Sequence, residues 1–336
     1  MELFHWAHLC GTPHARVNKF SLCEAKLYLL TARVRLLYNP AMSKRGWILF
    51  LSLGLLWGMP YLLIRIAVGE FDPLMVAVSR TLMGSLMLLP IALHRKALAP
   101  AFRKWKWLLA FTLIEITVPW LLLGHAETRL NSSTAGLLVA VVPLFTAIIV
   151  TKLGHETLDP RRLFGLGLGF AGVALLVGLD IHFTDLPAVA AIIVVAVLYA
   201  IGPIIIDRKL SDVPAIGVIT ASLIVATVIY APFAPFLWPE TFSTPAVASV
   251  IGLGVLCTAA AFIVFFALIA EVGPARATVI TYVNPAVAIL LGVLVLKEPL
   301  TIGMAIGFPL VIAGSFLGTQ RSREPAPART ATLSRR

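Results

Sequence analysis

Apolar residues in this chain come in long unbroken runs separated by short polar turns. The runs fall at 47–66, 74–94, 107–126, 133–151, 163–179, 187–206, 214–237, 246–269, 275–296 and 302–319. Most have the length that carries a helix across roughly 30 Å of hydrocarbon at 1.5 Å per residue. Membrane strands would instead leave short segments of alternating polarity. The pattern therefore predicts an all-α polytopic membrane protein with ten transmembrane helices. Connections such as Gly69-Glu70-Phe71-Asp72-Pro73 and Ser211-Asp212-Val213-Pro214 are turn-like and leave no room for a soluble catalytic domain.

Composition agrees. Hydrophobic residues make up 59% and charged residues 13% of the 336, against about 45–50% and 25% in a soluble domain. The net charge of +11 is explained by basic loops at a cytoplasmic membrane face, and nucleic-acid binding is not expected. Cys10, Cys23 and Cys257 have no metal or redox spacing. Residues 1–41 are polar and basic and lack a signal-like apolar core. They are read as an extension upstream of a natural start at Met42, the alternative being a targeting or regulatory tail.

The runs are also duplicated. Adding 142 carries Ala135 onto Ala277, Pro143 onto Pro285, Glu156 onto Glu298, Gly165 onto Gly307 and Gly172 onto Gly314 without a gap. Five spans in each half is an odd number, so the second half enters the membrane from the opposite side and the repeats are inverted. Lys and Arg support the parse. Alternate loops on one side hold eleven, including Arg95, Lys96, Arg103, Lys104, Lys106, Lys152, Arg161 and Arg162; the other side holds Arg65, Arg129 and Lys297. That bias places both termini in the cytoplasm. Inverted repeats suit a carrier whose central site faces each side in turn.

Candidate chemistry is sparse. Pro143 and Pro285 lie mid-span at equivalent positions, where a missing backbone donor bends a helix and frees a carbonyl. Arg80 and Glu115 are charges deep in adjacent spans, each costing at least ~2.5 kcal/mol to insert. Two readings stay open: an ion pair that locks two helices, or a substrate-carboxylate clamp at Arg80 and a proton carrier at Glu115. Trp57, Tyr61, Trp120, Tyr199 and Tyr282 could line a cavity, with Asn284, Thr281, Thr117 and Ser79 adding polar contacts. Glu156 and Glu298 close helix ends and suit capping better than chemistry. Glycines from Gly165 to Gly172 and from Gly303 to Gly318 suit close helix packing, as scaffold or dimer surface. No Walker loop, metal-spaced cluster or nucleophile set is present in the sequence, so neither a cofactor nor an enzyme is expected.

Leu55-Leu56-Trp57-Gly58-Met59-Pro60-Tyr61, Ser79-Arg80, Pro143 with Glu156-Thr157-Leu158, and Asn284-Pro285 with Lys297-Glu298 together resemble the EamA-like branch of the drug/metabolite transporter superfamily. The resemblance implies two EamA units, 42–179 and 180–320, followed by a basic tail at 321–336. It further implies a carrier, often an exporter of amino acids or other small metabolites, driven by an ion gradient; the expectation is a secondary carrier in the inner membrane that exports an amino-acid-like or drug-like metabolite coupled to protons, with uptake or a non-transporting scaffold as alternatives. The implied substrate site is Trp57, Tyr61, Arg80, Tyr199, Tyr282 and Asn284, with Glu115 added on local grounds, and a homodimer is a further expectation.

Overall fold

A computed structural model describes residues 43–153, 159–273 and 277–319. The 1–41 extension, Glu156, Arg276 and the 321–336 tail lie outside the described residues. The described residues are helical and contain no strand. Seven helices have the length and hydropathy to cross a bilayer: α1 (Lys44–Ala67), α2 (Pro73–His94), α3 (Trp105–Glu127), α4 (Ser132–Lys152), α5 (Pro160–Asp180), α6 (Phe183–Leu210) and α8 (Thr244–Val272). Three apolar helices are shorter: α7 (Ala215–Tyr230), α9 (Val279–Val295) and α10 (Ile302–Gly318). Seven of the ten expected spans are thus long and apolar enough to cross a bilayer, and the other three are shorter apolar helices.

The helix starts are written in the turns. Asp72 accepts the Leu74 N–H at 2.8 Å ahead of Pro73, and Asp159 accepts the Arg162 N–H at 2.7 Å ahead of Pro160. Both pair a capping carboxylate with proline at the first helical position, where no donor is lost. Interruptions also follow sequence. α1 breaks at Met59 before Pro60, and α4 breaks at Ala140–Val141 before Val142-Pro143. α9 changes winding at the equivalent Val283, before Asn284-Pro285. α3 and α8 each widen by one residue per turn, over Thr112–Thr117 and Val255–Ala260. Those two turns are equivalent under the duplication to within one residue.

Packing repeats the duplication. α2 lies on α7, α4 on α9 and α5 on α10, each helix against its own counterpart; α1 on α8 corresponds to α6 on α3. The counterparts run antiparallel. A Cβ on Gly165 would sit 3.0 Å from the Gly314 carbonyl, and one on Gly172 would sit 2.9 Å from the Gly307 carbonyl. Exchanging the repeats turns one of these contacts into the other, so a two-fold axis relates them. These glycines therefore serve the interior of the molecule, with α5 and α10 in backbone contact.

The loops gather at two ends. At one, Glu298 of the α9–α10 loop meets Ser132 and Ser133 at the start of α4, the Glu70 carboxylate of the α1–α2 loop meets Ser243 before α8, and Asp180 meets Thr301. At the other, Lys104 before α3 meets Asp212 of the α6–α7 loop at 2.5 Å, and buried Arg162 donates to the Gly318 carbonyl at 3.0 Å. Leu51, Leu86, Leu163, Phe164, Val228, Leu290 and Phe316 are exposed on the outside of the bundle. An apolar exterior of this extent fits a lipid environment.

Candidate functional site

Arg80 lies on α2 with 7% of its surface exposed. Its Nε donates to the Thr258 hydroxyl at 2.9 Å, and its guanidinium lies 3.6 Å from the centroid of the Trp120 ring. Thr258 sits in the widened turn of α8, where its hydroxyl also donates to the Leu253 carbonyl at 2.8 Å. One hydroxyl thus satisfies a helix carbonyl and orients the arginine. The two terminal amino groups of Arg80 have no hydrogen-bond partner among the described residues. Tyr61 of α1, Tyr199 of α6, Tyr230 of α7 and Cys257 of α8 stand within electrostatic reach of the guanidinium.

A related contact lies across the two-fold. Tyr230 of α7 donates to the Thr117 carbonyl in the widened turn of α3, at 2.5 Å. Arg80 with Thr258 joins α2 to α8, and Tyr230 with Thr117 joins the counterparts α7 and α3. Turns with the i→i+5 pattern recur at functional sites because they offset carbonyls from the regular ladder. Here both present polar atoms to the same interior.

Of the two readings of Arg80 and Glu115, the ion pair does not form among the described residues. Arg80 engages Thr258 and Trp120, while Glu115 is pressed against Gly202 of α6 with Oε2 buried and unpartnered. A Cβ on Gly202 would collide with that carboxyl. The reason is directional: α3 in its widened turn points Glu115 toward α6, and Arg80 is already held by α8. Glu115 still lies within electrostatic reach of Tyr199, at the margin of the same cluster.

The other expected site residues divide. Tyr61 and Tyr199 join Arg80, whereas Trp57 packs on α8, its ring 6.0 Å from Phe262 and 4.8 Å from Phe265. Tyr282 donates to the Ser315 carbonyl of α10 at 3.2 Å, and the Ser315 hydroxyl donates to Ala140 at the α4 break at 3.1 Å. Pro143 and Pro285 are buried beside these two interruptions. Asn284 keeps a buried, unpartnered Oδ1 there, and its backbone carbonyl faces Gly58 of α1. The structure thus shows an Arg80 cluster and a separate bolt at the helix breaks. Ser222, the counterpart of Arg80, is buried with its hydroxyl unpartnered, as is Thr220.

Glu298 caps α4. Its carboxylate accepts from the backbone N–H groups of Ser132 and Ser133 at 2.9 and 3.0 Å and from both hydroxyls. Lys297 takes a positive φ of 58°, turning the chain so that Glu298 faces the helix. Glu127, the last residue of α3, went unnoticed in sequence because it falls just beyond the apolar run of 107–126. Its side chain is fully buried and neither carboxyl oxygen has a hydrogen-bond partner, while Arg65 donates at 2.8 Å to its backbone carbonyl. Outside the helices, the Ser243 hydroxyl and N–H hold the Glu70 carboxyl below its ordinary range, and Lys104 does the same for Asp212. Glu70 and Asp212 are equivalent positions of the two repeats.

An all-helical bundle with a lipid-compatible exterior, two antiparallel repeats and a buried polar cluster between them is the build of a membrane transporter. The chain belongs to the EamA-like transporter family of the drug/metabolite transporter superfamily: the family pattern matches residues 44–178 and again 186–319. It is 28% identical over 289 residues to the uncharacterized transporter YvbV of Bacillus subtilis, covering 83% of this chain and 93% of the relative. It is 30% identical over 250 residues to the uncharacterized inner membrane transporter YedA of Escherichia coli K12, covering 72% and 79%. An uncharacterized transporter of Archaeoglobus fulgidus is 26% identical, covering 84% and 99%. A solved crystal structure shares the fold with a TM-score of 0.61 at 20% identity, covering 82% of this chain and 96% of that one.

Proposed function

We propose that this protein is a secondary carrier that exports a small carboxylate-bearing metabolite, amino-acid-like or drug-like, by alternating access coupled to protons. The observation that carries the reading is Arg80. Its Nε is fixed by Thr258 and its face by Trp120, leaving the terminal amino groups without a hydrogen-bond partner among the described residues. A guanidinium held on one edge presents its remaining donors in the geometry that grips a carboxylate. Tyr61, Tyr199 and Trp120 would supply the apolar and aromatic walls of such a site. The antiparallel counterparts supply the two related halves that a rocking carrier needs. Basic loops at the Lys104 end favour a cytoplasmic location for that end, and with it for both termini, of a protein in the inner membrane.

The test is flux. Untargeted comparison of solutes inside and outside cells with and without the protein names candidates, and proteoliposome transport then measures them. Wild type is expected to move a carboxylate-bearing solute faster with an imposed proton gradient, and Arg80→Ala to abolish that movement. Unchanged flux in Arg80→Ala would remove Arg80 from the mechanism.

A further inference from the structure

Glu127 is a fully buried carboxyl without a hydrogen-bond partner, and its neighbours are unusual. Tyr61 and Arg65 of α1, Arg80 of α2 and Glu298 of the α9–α10 loop are the titratable groups within its electrostatic reach. Arg65 is engaged by the main chain, donating to the carbonyls of Glu127 and Thr128 at 2.8 and 3.5 Å. Arg80 is engaged by Thr258. Neither cation bonds the Glu127 carboxyl. A buried carboxylic acid without partners is tolerable, whereas a buried carboxylate without partners is expensive.

Glu298 is the opposite case, a carboxylate whose two oxygens accept four hydrogen bonds from Ser132 and Ser133 at the positive end of α4. That contact joins the second repeat to the first at one end of the bundle. Gly292 makes room for it, because a Cβ there would meet the Glu298 carboxyl and both serine hydroxyls. Glu127 lies five residues before Ser132, which Glu298 bonds, so a second negative charge there would raise the energy of this clasp through like-charge repulsion.

We propose that Glu127 is the proton-binding site that controls the Glu298 clasp, and that its ionisation opens that end of the bundle. With the proton on Glu127, the clasp holds α4 to the α9–α10 loop. Loss of the proton to solution leaves a second carboxylate at this end of the bundle, and the two repeats separate there, hydrating Glu127. Proton binding from the same side recloses it. The inference rests on the carrier reading, for which it supplies the coupling group, and it places that group at Glu127 and not at Glu115.

The experiment reads the clasp without needing flux. Spin labels on Cys substitutions of Arg129 and Leu300, with Cys10, Cys23 and Cys257 replaced, report the separation of the two loops by pulsed EPR across a pH series. A longer-distance population is expected to grow as pH rises in the otherwise unaltered protein. Glu127→Gln is expected to stay at the short distance at every pH, and Ser132→Ala with Ser133→Ala to favour the long distance at every pH. Glu127→Asp keeps the carboxyl, and its transition is expected to move along the pH axis without vanishing. A pH response that persists in Glu127→Gln, or a midpoint unmoved in Glu127→Asp, would overturn the assignment. Proteoliposome flux on the same preparations separates the two ideas: a pH-responsive clasp in a protein that moves no solute contradicts the carrier and keeps the switch.

Discussion

Arg80 is held by Thr258 and Trp120, and its proposed role in recognition depends on how it is held. Lysine there would keep the charge and lose the Nε bond to Thr258 and the flat stack on Trp120. Arg80→Lys is expected to raise the KM for the transported solute about tenfold, the equivalent of about 1.4 kcal/mol; an unchanged KM in vesicle flux would count against the clamp. Thr258→Val strips two bonds at once, and a loss of about 1–3 kcal/mol is expected, read as a lower melting temperature in detergent. The loop carboxylates make a pH prediction. Glu70 and Asp212 are held below the ordinary range, so their bonds stabilise the protein above the unfolded value and fade as pH falls through the lower folded value. The melting-temperature gap between wild type and Asp212→Asn is therefore expected at pH 7 and should close below about pH 4. A gap that persists in acid would deny the Lys104 bond its role. Arg80 was legible as a charge inside an apolar run, but its partner Thr258 is 178 residues away and has an ordinary threonine context. Glu127 was illegible for a different reason: at a helix end, a buried carboxyl and a solvated one have the same sequence neighbourhood.

At the level of elements, the glycines separate close approach from mere tolerance. Gly172 has the Gly307 carbonyl 2.9 Å from where its Cβ would lie, whereas Gly167, on the same helix, has nothing within 4 Å. Gly172→Leu is expected to force α5 from α10 at a cost of about 1–3 kcal/mol. Gly167→Ala is expected to be neutral or to stabilise by up to about 1 kcal/mol through helix propensity. Thermal aggregation measured on both variants checks the contrast, and equal destabilisation would refute the α5–α10 contact. The small-residue spacing announced tight packing, and only the structure shows that the partner is the counterpart helix of the same chain. The breaks in α4 and α9 were legible from Pro143 and Pro285, since proline removes a donor wherever it falls. The widened turns of α3 and α8 were not, because Thr112–Thr117 and Val255–Ala260 contain no proline or glycine to mark them.

For the whole molecule, the duplication at an offset of 142 was readable because rare residues held one spacing, and the structure adds what the repeats do with it. Counterpart helices lie against each other in opposite directions, and equivalent loops lie at opposite ends, where Glu70 meets Ser243 and Asp212 meets Lys104. Each end of the bundle is thus tied by a contact from the equivalent loop of one repeat. The direct test is the sidedness of those two positions in the cell. Single cysteines at residues 70 and 212, in a background free of Cys10, Cys23 and Cys257, are exposed to a membrane-impermeant maleimide before and after permeabilisation. The account predicts that residue 70 labels on intact cells and residue 212 only once the membrane is breached. Labelling of both from one side would contradict it.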